Sequence, residues 1–188
     1  MRSKKILSLA LAGLLGFATP SNADQVIEGS YYLSVNIGYV QPSDVRFLGM
    51  KFDNGYGGGI EFGWSDNIVN GGVRFNSAIA SGELPDERLG ITQLEFFTHL
   101  KEKIARNTQL FLGPVFGHEV VGRQTSRDSQ LDGVDNQLFI HYGGEAGIEY
   151  RLNENFSMVG AGKLTQGYSE RFMYTEFEPQ LKLKSHLK

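Results

Sequence analysis

The chain predicts an all-β fold, an eight-stranded antiparallel transmembrane up-and-down β-barrel, on three observations. Apolar and polar residues alternate with period two in segment after segment, the connectors alternate between short and long, and aromatics recur eight apart within strands. In the first segment Tyr31, Leu33, Val35, Ile37 and Tyr39 share one face, and Ser34, Asn36 and Gly38 take the other. A soluble sheet would turn its oily face to a core. Here the apolar face is long and rimmed by aromatics while the opposite face carries charges, so the pattern calls for lipid outside and a polar interior.

An export signal is predicted ahead of the strands. Met1 to Lys5 carries Arg2, Lys4 and Lys5, Ile6 to Phe17 is apolar, and Ser21-Asn22-Ala23 supplies small residues for cleavage after Ala23. The apolar run is too short for a helical span, which needs about 20 residues. The expected division is residues 1–23 as a cleaved signal peptide and 24–188 as one barrel domain. Losing Arg2, Lys4 and Lys5 takes Lys+Arg from 18 to 15 against 21 Asp+Glu, so the net charge moves from −3 to about −6. That balance points away from nucleic acid.

Cysteine is absent, which excludes disulfides, thiolate metal sites and a lipid-modified cysteine. Residues 24–188 contain no run of about 18 apolar residues, so a membrane crossing could only be made by a closed barrel, in which no sheet edge meets lipid.

Strands are expected at 30–41, 53–64, 68–79, 90–101, 108–120, 137–152, 156–166 and 171–185. Ser65-Asp66-Asn67 and Asn153-Glu154-Asn155 read as tight polar turns and 102–107 as a longer one. Between them lie the loops 41–52, 81–89 and 122–136 and a shorter 167–170. Short turns on one side and long loops on the other are the layout of a barrel whose turns face the periplasm.

The faces follow strand by strand. The second sets Tyr56, Ile60, Phe62 and Trp64 against Gly57, Gly59, Glu61 and Gly63, and the third sets Val69, Val73 and Phe75 against Asn70, Arg74 and Asn76. The fourth opposes Leu94, Phe96 and Leu100 to Gln93, Glu95 and His99. The fifth contains Pro114, which lacks a ladder donor and predicts a bulge or irregular pairing. The sixth opposes Ile140, Tyr142, Ile148 and Tyr150 to His141, Glu145, Glu149 and Arg151. Gly160 and Gly162 blur the seventh, and the last sets Phe177, Leu181 and Leu183 against Glu176, Glu178, Gln180, Lys182 and Lys184. Tyr31 with Tyr39, Tyr56 with Trp64 and Tyr142 with Tyr150 repeat one spacing, roughly 20 Å along a tilted strand, close to an apolar band about 25 Å tall.

These segments, above all 29–40 (GSYYLSVNIGYV), 53–67 (DNGYGGGIEFGWSDN) and 143–156 (GGEAGIEYRLNENF), resemble the small eight-stranded outer-membrane barrels of the OmpA, OmpX and opacity-protein type. The resemblance implies a monomer in the outer membrane of a Gram-negative bacterium, reached through the periplasm, with loops presented on a rigid scaffold. One departure is the end, Ser185-His186-Leu187-Lys188, where such barrels carry an aromatic.

Glu61, Arg74, Glu95, His99, Glu145, Glu149, Arg151, Lys163, Glu176, Glu178 and Lys182 are expected in the lumen, paired into a plug, because eight strands enclose only enough space for side chains. The acidic excess leaves a small cation-preferring pore as one alternative. A lipid A-modifying enzyme is another, although no His is followed two residues later by Ser, the arrangement in which His would act as base to the hydroxyl. His118-Glu119-Val120-Val121-Gly122 has Gly where a second zinc ligand must stand, Asp128 to Gly133 has Phe139 at the bidentate position of a calcium loop, and Gly160-Ala161-Gly162-Lys163 is an incomplete phosphate loop. The expectation is therefore a surface protein with no catalytic, cofactor-binding or metal-binding residues. Its expected partners are outer-membrane lipid and lipopolysaccharide, the latter through Arg46 and Lys51, and a host or envelope partner through loops 41–52 and 122–136.

Overall fold

The computed structural model describes residues 29–43, 46–47, 50–82, 87–125, 136–169 and 173–187. The signal segment 1–23, the Asp128 to Gly133 stretch and most of the 122–136 loop lie outside them, as do the side chains of Arg46 and Lys51.

Eight long strands form the wall: β1 (Ser30–Ser43), β3 (Met50–Ser65), β4 (Val69–Gly82), β5 (Glu87–Ala105), β6 (Thr108–Thr125), β7 (Gln137–Arg151), β8 (Phe156–Tyr168) and β9 (Met173–Leu187). The two-residue β2 (Arg46–Phe47) extends β3 within the first loop. Sequential strands pair antiparallel, and β1 pairs with both β9 and β3, which closes the sheet on itself. Every expected strand is present. The row of neighbours that leaves Val40 opposite Gly55 and runs round through β9, β8, β7, β6, β5 and β4 returns to β3 at Ser65. That stagger of about ten residues tilts the strands and sets the bore of the barrel.

The turns are built by their side chains. Asp66 Oδ1 accepts from the backbone N–H groups of Ile68 and Val69, each at 2.6 Å. Asn153 Oδ1 accepts from Asn155 N at 2.9 Å and Phe156 N at 3.0 Å. Short polar side chains that mimic a backbone turn explain why these two tripeptides reverse the chain. The 102–107 segment is shorter than expected: β5 runs on to Ala105, and Arg106-Asn107 alone makes the turn, with a register shift between Lys103 and Ala105.

Pro114 does not bulge its strand. The β5–β6 ladder passes from Phe97↔Val115 to Leu100↔Leu112 in unchanged register, and Pro114 stands regularly opposite Gly144 on β7. The missing donor is therefore absorbed on one side of the strand only. Pro179 on β9 has the same effect toward β1, where the ladder passes from Gly38↔Gln180 to Gln41↔Phe177.

The two faces have the polarity expected of a membrane-spanning wall. Tyr31, Val35, Ile37, Ile60, Phe75, Leu100, Leu112 and Leu181 are exposed outward, whereas Arg74, Glu95, Glu145, Lys163 and Glu176 are fully enclosed. The recurrent aromatics lie in rings. Tyr31 is the register partner of Trp64 and stacks on Phe62 with centroids 6.0 Å apart. At the loop end Tyr39 is the partner of Tyr56, and midway along β5 and β6 Phe96 stacks on Phe116 at 5.6 Å.

Candidate functional site

The lumen concentrates the polar chemistry of the chain, in three layers. At mid-height the Arg74 guanidinium on β4 donates to Glu61 at 2.8 Å, Glu95 at 3.1 Å and Glu145 at 2.7 Å. Lys182 joins Glu61 at 3.1 Å to Glu145 at 2.5 Å, and Lys163 joins Glu95 at 2.6 Å to Glu178 at 2.7 Å. Residues from β3, β4, β5, β7, β8 and β9 are thereby cross-linked through the centre. Each carboxylate meets a cation where an unpaired one would cost several kcal/mol, so the plug stabilises the wall only as a complete set.

Toward the turns lies a second layer. Lys184 donates to Glu149 at 3.2 Å and sits over the Tyr32 ring, 3.9 Å from its centroid. Lys101 reaches Ser65 Oγ at 2.9 Å and Glu149 at 3.5 Å. Tyr32 donates its hydroxyl to Glu61 at 2.9 Å, in space left by Gly63, where a Cβ would lie 2.6 Å from that oxygen.

Toward the loops the lumen changes character. Val40, Ala78, Ala80, Leu89, Ile91, Val121, Phe139 and Tyr174 pack together into an apolar cap above the ionic layer. Between cap and ions, Gln93 donates to Glu119 at 2.7 Å and to Glu176 at 3.4 Å, and the Tyr174 hydroxyl donates to Glu119.

Of the side chains expected in the lumen, all are buried there except Arg151, which turns away to donate to the backbone oxygens of Asn153 at 3.1 Å and Glu154 at 3.2 Å. That correction has a simple cause: Arg151 ends β7, where the turn carbonyls compete for its donors. Sequence reasoning left Lys101 and Glu119 out of the interior, and it did not foresee the apolar cap.

The histidines bear on the enzyme alternative. His118 is exposed on the outer face while Glu119 points inward, so the two cannot ligate one ion. His99 and His141 face Glu145 at 3.7 Å and Glu95 at 3.1 Å inside the plug. His186 does meet a serine: its Nε2 lies 3.0 Å from Ser157 Oγ, with Glu149 Oε1 3.7 Å from the same nitrogen and Ser30 Oγ 3.5 Å from Nδ1. A relay needs the nucleophile on one ring nitrogen and the acid on the other. Here both crowd Nε2, and Ser157 is fully enclosed, so the group ties β1, β7, β8 and β9 together at the turn end. Among the described residues no three His, Asp or Glu side chains are arranged to hold a metal ion.

Outside the lumen, a concavity of about 770 Å³ lies on the lipid-facing wall. Its floor follows one row of register partners, Pro179, Gly162 and Ala146, whose small side chains leave Phe177 and Leu181 standing proud.

The geometry is that of the small eight-stranded outer-membrane barrels. Neisserial surface protein A aligns over 85% of this chain and 99% of its own, with a TM-score of 0.67 at 12% identity. Ail, the attachment invasion locus protein of Yersinia pestis, covers 85% and 97% with a TM-score of 0.54 at 12% identity. The outer membrane protein OprG from Pseudomonas aeruginosa covers 84% and 94% with a TM-score of 0.50, again at 12% identity. No family model and no curated protein sequence matches the chain.

Proposed function

We propose that this chain is a non-enzymatic surface protein of a Gram-negative outer membrane, exported with cleavage after Ala23, whose barrel is a monomeric scaffold for extracellular loops. The observation that carries the reading is the filled lumen: among the described residues a cross-linked ionic plug lies under an apolar cap. The long β5 and β6 strands support it too, since they run on past the Phe96–Phe116 pair to Glu87 and Thr125, next to the loops. Loops 41–52 and 122–136 are the proposed contact surface, with Arg46 and Lys51 available to lipopolysaccharide phosphates. Two of the structural neighbours carry names that fit such a role, a surface protein and an attachment and invasion protein.

The test compares the whole protein with loop variants in vesicles of phospholipid alone or with lipopolysaccharide. The expected result is preferential association with lipopolysaccharide, lost in R46Q/K51Q, no vesicle conductance, and an unchanged lipid A acyl pattern by mass spectrometry. A changed acyl pattern would establish the enzyme instead, and single-channel currents the cation-preferring pore.

A further inference from the structure

The lumen as a whole holds more acid than base. Among the described residues Glu61, Glu95, Glu119, Glu145, Glu149, Glu176 and Glu178 are buried there, against Arg74, Lys101, Lys163, Lys182 and Lys184. The surplus is localised. Arg74, Lys163 and Lys182 are committed to Glu61, Glu95, Glu145 and Glu178, while Lys101 and Lys184 serve Glu149. Glu119 and Glu176 are left with no Lys or Arg ion pair among the described residues.

What they have instead is neutral. Gln93 Nε2 reaches both carboxyls, at 2.7 Å and 3.4 Å, so two acids from β6 and β9 converge on one amide. Glu176 Oε2 is enclosed without a hydrogen-bond partner. The charged or titratable groups facing the pair are Glu95 from β5, His141 from β7, Lys163 from β8, and Tyr174 and Glu178 from β9. His141 and Lys163 are drawn toward Glu95, at 3.1 and 2.6 Å. Above the pair, among the described residues, the apolar cap supplies a single donor, the Tyr174 hydroxyl to Glu119, and none to Glu176.

We propose that Glu119 and Glu176 hold one shared proton in the folded barrel at neutral pH, and that this proton fastens the apolar cap to the ionic plug. Two carboxylates in one dry site cannot both ionise without heavy cost. When the proton leaves to solvent, two like charges face each other beneath the cap, and the outer mouth loosens while the deeper plug stays paired. The sign follows from linkage. Both groups are ionised in the unfolded chain at neutral pH, so the folded state binds the extra proton and stability falls as pH rises.

The test is the temperature at which the whole barrel, refolded in phospholipid vesicles, loses its unboiled gel mobility between pH 6 and pH 9. For the wild type the midpoint should fall by about 3 °C per pH unit over part of that range. Glu176→Gln and Glu119→Gln should each flatten the curve and raise the midpoint at pH 9. Parallel curves for wild type and both variants, or lower midpoints in both variants at every pH, would overturn the proposal. Should a variant not fold, the infrared spectrum of the wild type decides. A protonated-carboxyl band at pH 7 that is lost on raising the pH supports the shared proton, and its absence at pH 7 refutes it.

Discussion

Arg74 and Glu145 meet at 2.7 Å across the centre of the barrel, although 71 positions separate them in the chain and neither side chain reaches solvent. The contact joins β4 to β7, strands on opposite parts of the wall, so it reports closure of the whole sheet.

Arg74→Met should therefore destabilise the barrel by about 3–5 kcal/mol, because it strands Glu61, Glu95 and Glu145 without their common cation. Urea unfolding in vesicles measures it. Adding Glu145→Gln to Arg74→Met should recover part of the loss, since one stranded charge is removed with the partner already gone.

A lipid-facing wall makes an unusual demand on exposed positions. Val35 is 53% exposed at the middle of the outward face of β1, where a soluble protein would tolerate lysine. Val35→Lys should cost about 2–4 kcal/mol in a bilayer, and Ile68→Lys, in the turn, close to nothing. Equal costs at both positions, measured by folding into vesicles, would contradict a membrane-embedded wall.

Tyr32 and Gly63 form a lock at the turn end. Gly63→Ala should cost roughly 1–3 kcal/mol, because its Cβ would lie 2.5 Å from the Gly71 carbonyl oxygen, 2.6 Å from the Tyr32 hydroxyl and 2.7 Å from the Tyr32 Cζ. Tyr32→Phe in the same chain should return only a small part of that loss, since the Gly71 carbonyl and the ring Cζ stay in place, and a double-mutant cycle on the unfolding midpoint gives the coupling.

Asp66 lies in a turn outside the spanning strands, and the backbone N–H of Val69, then that of Ile68, holds its carboxyl below the usual range. A lowered folded-state value means the turn contributes its full stability above the unfolded value, near 4, and loses it as pH falls through the folded one. Asp66→Asn keeps an acceptor oxygen but cannot titrate. Amide exchange at Ile68 and Val69 should accelerate in acid for the wild type and not for Asp66→Asn.

Strand positions were legible because lipid and a polar lumen each select one face, which period-two alternation records directly. The cap was not, and β5 explains why. From Gln93 to Lys101 its inward positions are mostly polar, yet Leu89 and Ile91 are inward and apolar, with Arg88 and Thr92 outward. The phase of the pattern inverts near Thr92, where water replaces lipid outside and the interior becomes an ordinary core. A reading that assigns one polarity to the whole lumen misses that switch, and β strands that end beyond it look shorter than they are. Luminal partners were hidden for another reason. Which carboxylate meets Arg74 depends on the stagger of strands far apart in sequence, and alternation says nothing about stagger.

The two prolines in the wall acquire a joint meaning from the order of strands around the ring. The interruption at Pro114 lies between β5 and β6, and that at Pro179 between β9 and β1, half a circumference away. They divide the cylinder into two half-shells of four strands, β6 to β9 and β1 with β3 to β5. Each interruption is a gap of two pairs in its ladder, and Arg74 and Lys182, each bonded to carboxylates of both half-shells, tie the two halves together across the lumen.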